Sequence, residues 1–181
     1  PITLYPVIMG LAGLTIVLGK FSEFNWLPSV FFEGLLYLVS ALFVFFSGMY
    51  AFKAILFFNE VVEDWRHRIR INFFSAISIS FLLLAIAWHP VDSDVAHVLW
   101  WVGMTSHTFL MLYTISFWIQ HNFEIKHFNP AWFIPVVGNI LIPIMGVEFL
   151  PTGFLFFYFA VGAFFWLVLF TLFLNRVIFH H

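Results

Sequence analysis

Apolar runs long enough to cross a membrane follow one another along almost the whole chain, and this feature restricts the fold more than any other. A helix needs about 20 mainly apolar residues to span the hydrocarbon core. Six such runs occur, at residues 2–19, 29–57, 71–88, 95–119, 130–147 and 152–174. Composition agrees. Hydrophobic residues make up 63% and charged residues 9%, with a mean hydropathy of +1.02. Soluble domains carry about a quarter charged residues, so this surface needs lipid as its solvent. The fold class expected is all-α: a polytopic transmembrane helical protein, residues 1–181 forming a single transmembrane domain.

The breaks between runs are polar. Lys20 to Asn25, followed by Pro28, closes the first gap, and Asn59 to Arg70 carries a dense charge cluster. His89 to Asp94 reads as a short turn with an Asp capping span four. Asn129-Pro130 opens span five with proline in the first turn, where its missing N–H costs nothing. Glu148 and Pro151 mark a tight hairpin into span six. Span two exceeds the hydrocarbon thickness, which implies tilt or protrusion. No basic leader or cleavage site precedes the first run, so it does not read as a signal peptide. Both ends read as cut, with His180 and His181 just after a span. Arg66, Arg68 and Arg70, with Lys53, Lys126 and Arg176, fall on one side of the membrane, and only Lys20 falls on the other, beside Glu23, Asp92, Asp94 and Glu148. The positive-inside rule puts the N-terminus and the basic loops in the cytoplasm, and the expected location is a bacterial inner membrane.

Several function classes drop out. The net charge is −2, which supplies no basic face for nucleic acid. With no cysteine there is no disulfide or thiolate chemistry. Neither a P-loop nor HExxH is present, nor a Gly-x-Ser-x-Gly elbow. No enzyme, metal site or cofactor is expected. The partners expected are membrane lipid and small anions.

Odd and even spans differ. Phenylalanine crowds spans two and six and is absent from span one. Span one instead has Pro6, Gly10 and Gly13, span three Asn72, Ser75 and Ser78, and span five Pro135, Gly138, Asn139, Pro143 and Gly146. Bulky aromatics suit lipid, whereas small and polar groups suit close packing or a wet path. Proline within a span is tolerated where protein or a cavity satisfies the freed carbonyl. The contrast suggests three hairpins, each with an inner odd helix and an outer even one, although span four fits weakly. Packing and pore lining both remain open for each small residue.

Span four carries Thr105, Ser106 and His107 near its middle. An intramembrane histidine is a functional candidate by default: a proton or anion site, or a polar group bonded to a neighbouring helix. Haem would need a second histidine at matching depth, and His89, His97, His121 and His127 lie near the interfaces. Glu33 and Lys53, near the ends of span two, read as snorkelling. Lys20 is a plausible outer attractor for anions. Arg66, Arg68 and Arg70 set topology first and attract anions or anionic lipid second.

Specific strings resemble the tellurite-resistance/dicarboxylate transporter family, which includes bacterial tellurite-resistance proteins, fungal malate carriers and plant slow anion channels. Ile71-Asn-Phe-Phe-Ser-Ala-Ile-Ser-Ile-Ser80 is similar to the start of its third span and Phe128-Asn-Pro-Ala-Trp-Phe-Ile-Pro135, running on to Pro143, to its fifth. Tyr5-Pro6 with Gly10 to Gly13 resembles its opening segment, and Leu112 to Ser116 with Trp118 the end of its fourth. The resemblance covers the whole chain. It implies the first six spans of a ten-helix, quasi-fivefold pore whose odd helices line the path, commonly in a homotrimer. It also implies transport of anions or C4-dicarboxylates such as malate, or of tellurite. The alternatives are a proton-coupled dicarboxylate carrier using His107 and, in another class, a haem-bearing or structural subunit. The family's gating phenylalanine lies on a later inner helix, so no phenylalanine here is assigned that role.

Overall fold

A computed structural model describes residues 2–121 and 128–179. Lys126, expected in a basic loop, and His127, His180 and His181 lie outside the described residues. The described chain is helical throughout, with five helices long and apolar enough to cross a membrane. A turn of 3-10 helix at Ile2–Leu4 leads into α1 (Tyr5–Glu23), with Pro6 in its first turn. Then come α2 (Ser29–Leu56), α3 (Phe58–Arg66), α4 (Arg70–Trp88) and α5 (Ser93–Gln120). The fifth apolar run is a broken segment, Pro130–Gly146, containing α6 (Phe133–Val137) and α7 (Ile142–Gly146). The last helix is α8 (Thr152–Phe179).

The ends of these helices follow from the local sequence. α1 stops in a Schellman turn: Trp26 N–H donates to Phe21 O and Asn25 N–H to Ser22 O. Asn25 takes the left-handed position, φ 56°, usually filled by glycine. The accompanying apolar contact is Phe21 against Trp26, ring centroids 5.5 Å apart. At α5 the expected cap forms, Asp92 Oδ1 accepting from the N–H of Asp94 and Val95 at 3.0 and 3.1 Å. Asn129 Oδ1 likewise accepts from Ala131 N–H ahead of the broken segment.

The broken segment departs from a single expected span, and Pro143 explains its central kink. Proline has no N–H to give the carbonyl four residues back, which here is Asn139 O. Ile142 N–H takes that carbonyl instead, and residues Gly138–Leu141 tighten into 3-10 helix.

α3 is a second departure. The charged stretch after span two is a short helix lying under the ends of α2 and α4. Trp65 packs edge-on to Phe74, centroids 4.5 Å apart, and against Tyr113 at 4.8 Å. Its Asp64 is buried and ion-paired to Lys53 and Arg70, at 2.7 Å each. Lys53 therefore does not simply snorkel to water.

α4 is the centre of the bundle, touching α1, α2, α3, α5 and the broken segment. Of its apolar stretch 67% is buried, against 33% in α1 and α5 and 22% in α2 and α8. Phe31, Phe45, Phe156, Phe159 and Phe164 of α2 and α8 face outward, as bulky residues do where a helix meets lipid. α1 is less enclosed than α4 because one of its faces, with Val7, Gly10, Leu14 and Val17, has no covering element among the described residues.

Candidate functional site: a buried polar node and an open mouth

α4, α5 and the broken segment each carry polar side chains into the interior, and beside Gly138 two of them, Ser78 and His107, meet. Asn72, Ser75, Ser78, His107, Thr114 and Asn139 are all buried. Ser78 Oγ lies 2.8 Å from Ser75 O and 2.9 Å from His107 Nδ1. A hydroxyl has one proton. If Ser78 donates it to the Ser75 carbonyl, His107 Nδ1–H must donate to Ser78, leaving Nε2 as an acceptor. That Nε2 makes no hydrogen bond among the described residues.

Gly138 makes room for the imidazole. A Cβ there would fall 2.9 Å from His107 Nε2, 2.8 Å from Cε1 and 2.5 Å from Ile79 Cδ1. One position on, Asn139 Nδ2 donates to Val136 O at 2.7 Å and points at Met111 Sδ at 3.0 Å. The kinked segment thus approaches α5 through a glycine and is held there by an amide.

Other candidates are placed differently. Asn72 Nδ2 donates to Ile69 O at 3.2 Å, within the first turn of α4. Pro135 is buried, and Pro143 half-buried. Gly10 lies on the uncovered face of α1, with Pro6 and Gly13 beside it half-buried, and a Cβ at either glycine would meet nothing within 4 Å. The small residues therefore divide: those of α4 and the broken segment line helix contacts, those of α1 border an open face. Thr105 and Ser106 do not join His107. Both hydroxyls donate back to their own helix, to Trp101 O at 2.7 Å and to Gly103 O at 3.1 Å. The three arginines are all exposed: Arg66 ends α3, Arg68 lies in the turn before α4, and Arg70, at the start of α4, pairs with Asp64. His67 Nδ1 accepts from Ile69 and Arg70 N–H in that turn.

At the opposite, acidic end the three odd spans, together with Phe32 of α2, frame a cavity of about 250 Å³. Its walls include Gly19 and Lys20 of α1, Ala87 of α4, and Met145 with Glu148 at the end of the broken segment. Glu148 takes a contact from His89 Nε2 at 3.0 Å, with His97 Nε2 at 4.0 Å, while Lys20 pairs with Glu23 at 2.8 Å. Sequence reading missed Asp64 as a buried ion and treated Glu148 as a hairpin marker and one of the acidic charges opposite the arginines. The signal for Asp64 was the flanking cations Lys53 and Arg70. Glu148 follows directly on a Pro- and Gly-kinked segment.

Five helices long and apolar enough to cross a membrane, packed with a kinked segment round the buried α4, define a polytopic helical membrane protein. The chain belongs to the voltage-dependent anion channel (SLAC1) family, whose model matches residues 1–181. It is 32% identical over 187 residues to the S-type anion channel SLAH3 of Arabidopsis thaliana, covering 98% of this chain and 29% of that protein. An uncharacterized transporter, MJ0576, of Methanocaldococcus jannaschii is 32% identical over 162 residues, 82% of this chain and 46% of that one. A tellurite resistance protein TehA homolog of Haemophilus influenzae is 27% identical over 136 residues, 71% and 40%. The chain thus spans less than half the length of each of these three relatives.

Proposed function

We propose that this chain supplies part of a transmembrane path for small anions, bordered by α1, α4 and the broken segment. The observation that carries this reading is the convergence of those three segments, with Phe32 of α2, on one polar-rimmed cavity, while most phenylalanines of α2 and α8 point outward. Similarity to S-type anion channels and to a tellurite resistance protein supports anions as the cargo. Among the described residues no lysine or arginine is buried in the middle of the bundle, so an anion there would meet only dipoles and a diffuse potential. Weak binding of that sort favours throughput over tight selectivity. Malate and tellurite are candidate cargoes beside chloride and nitrate, and a homotrimer is the assembly implied by family resemblance.

The test is anion flux from the full-length protein in liposomes, at clamped potential, with and without a proton gradient. Flux following the anion's electrochemical gradient alone supports this reading. Malate uptake that requires the proton gradient would favour a coupled carrier instead, with His107→Gln as the next variant. Well-folded protein that moves no anion would overturn the transport reading.

A further inference from the structure

We propose that Glu148 is a gatekeeping charge at the acidic mouth, with Lys20 lining the same cavity, and that these two charges set how readily anions enter. The inference rests on the anion-path reading above and names the residues that control access to it.

The position of Glu148 is built rather than incidental. The turn that carries it is pinned from two sides. A Cβ at Gly146 would lie 2.6 Å from Leu155 Cδ2 and 2.8 Å from Trp100 Cζ2, so the chain passes close against α5 and α8 here. Trp100 Nε1 also donates to Ile142 O at 3.1 Å, fixing the start of α7. Glu148 N–H donates to Met145 O at 3.2 Å, closing the turn. The carboxylate is then steadied by His89 at 3.0 Å, and Phe149 stacks edge-on to His97, centroids 4.5 Å apart.

Consider the charges lining the cavity. Among the described residues they are Lys20, Glu23 and Glu148, with His89 beside them. Lys20 and Glu23 form a contact ion pair at 2.8 Å and largely cancel at a distance. What remains when His89 is neutral is the negative charge of Glu148. A cleft with apolar walls focuses the field of such a charge. Ile16, Phe32, Ile86 and Ile144 supply those walls here. An anion entering from this side meets repulsion from Glu148 and only a residual dipole from the Lys20–Glu23 pair. Neutralising Glu148 removes that repulsion, whereas neutralising Lys20 leaves Glu23 uncompensated and adds to it, so the two substitutions have opposite effects.

The experiment is chloride and sulfate conductance of the full-length protein in planar bilayers, comparing wild type with Glu148→Gln and Lys20→Gln at low and high ionic strength. Glu148→Gln keeps the side-chain size and an oxygen for His89. It is expected to raise conductance from the acidic side roughly threefold to tenfold at low salt, the change in local anion concentration that one nearby charge produces. Lys20→Gln is expected to lower it. Both effects should be larger for sulfate than for chloride, and both should shrink near 1 M salt, where the Debye length is about 3 Å. A purely structural role for the Glu148–His89 contact would alter melting temperature without this salt and valence signature. Wild-type levels in both variants, changes of the same sign, or changes that persist in high salt overturn the proposal. Lys20 is exposed, so its variant decides the matter if Glu148→Gln does not fold. Wild-type protein with no anion flux would overturn the anion path itself and this inference with it. Flux in wild type that neither variant alters overturns the gatekeeping role alone.

Discussion

The tightest constraint at the level of single residues is at Gly138. Its missing side chain is the space that His107 and Ile79 occupy. Gly138→Ala places a methyl group 2.5 Å from one neighbour and 2.8 Å from the other. His107 has little freedom to yield, being fully buried and bonded to Ser78. We expect a loss of about 1–3 kcal/mol, the usual cost of overpacking a filled interior, seen as a lower melting temperature in detergent. Gly10→Ala, on the open face of α1, is expected to melt like wild type. Equal melting of both variants with wild type would show that the Gly138 contact is loose. Sequence alone separates these two glycines poorly. Both stand in a stripe of small residues, and only the docking of the broken segment on α4 and α5 brings one of them against an imidazole. The same limit applies to His107: that it is buried could be read from its place in an apolar run, whereas the choice of Ser78 as partner depends on how α4 and α5 dock.

Among the helices, α3 shows how a charge cluster becomes structure. The cluster at residues 59–70 was legible as a break between spans, but not as a helix, because its apolar face is short and its key carboxylate looks like any solvated acid. Asp64 is 4% exposed and bridges Lys53 at the end of α2 to Arg70 at the start of α4. Burial pushes its carboxyl up. Hydrogen bonds from Lys53 and Arg70, with their charges, outweigh that effect and hold it below the usual carboxylate range. A lowered folded-state value means that the clamp stabilises fully above the unfolded value, near 4, and that this contribution is lost as pH falls from there through the folded value. Asp64→Asn is expected to cost about 1–3 kcal/mol, less than a fully enclosed pair because Arg70 is half exposed, and to flatten the acid side of the melting curve below pH 4. It should also speed tryptic cleavage at Arg66 and Arg68, since α3 would no longer be tied at both ends. An unchanged cleavage rate would mean that Trp65 packing alone holds the helix. The long spans were far more legible than α3. Runs of apolar residues and the Asp92 cap located α1, α2, α4, α5 and α8 to within a few residues, since length and hydropathy alone decide whether a helix can cross lipid. The fifth run was found, but its division into short helices follows from the one hydrogen bond, to Asn139 O, that Pro143 cannot make.

For the whole molecule, the charges sort to two ends. Arg66, Arg68 and Arg70 lie near the α3 end, and Lys20, Glu23, His89 and Glu148 gather round the cavity at the other. The helices between are long enough to cross a bilayer, so the two clusters should face different compartments, the arginines inward by the positive-inside rule. The chain contains no cysteine, which makes this directly measurable. Glu63 and Val91 are exposed near opposite ends, and neither contributes a positive charge to the orientation signal. Glu63→Cys and Val91→Cys are therefore expected to label oppositely with a membrane-impermeant maleimide. Val91→Cys should react in intact cells, and Glu63→Cys only once the membrane is opened. The reversed pattern would place the arginines outside and turn the Lys20–Glu148 mouth toward the cytoplasm, where it would act on efflux. Labelling of both from the same side would mean that α4 does not cross the bilayer, and the membrane-spanning reading of its most buried helix would fail.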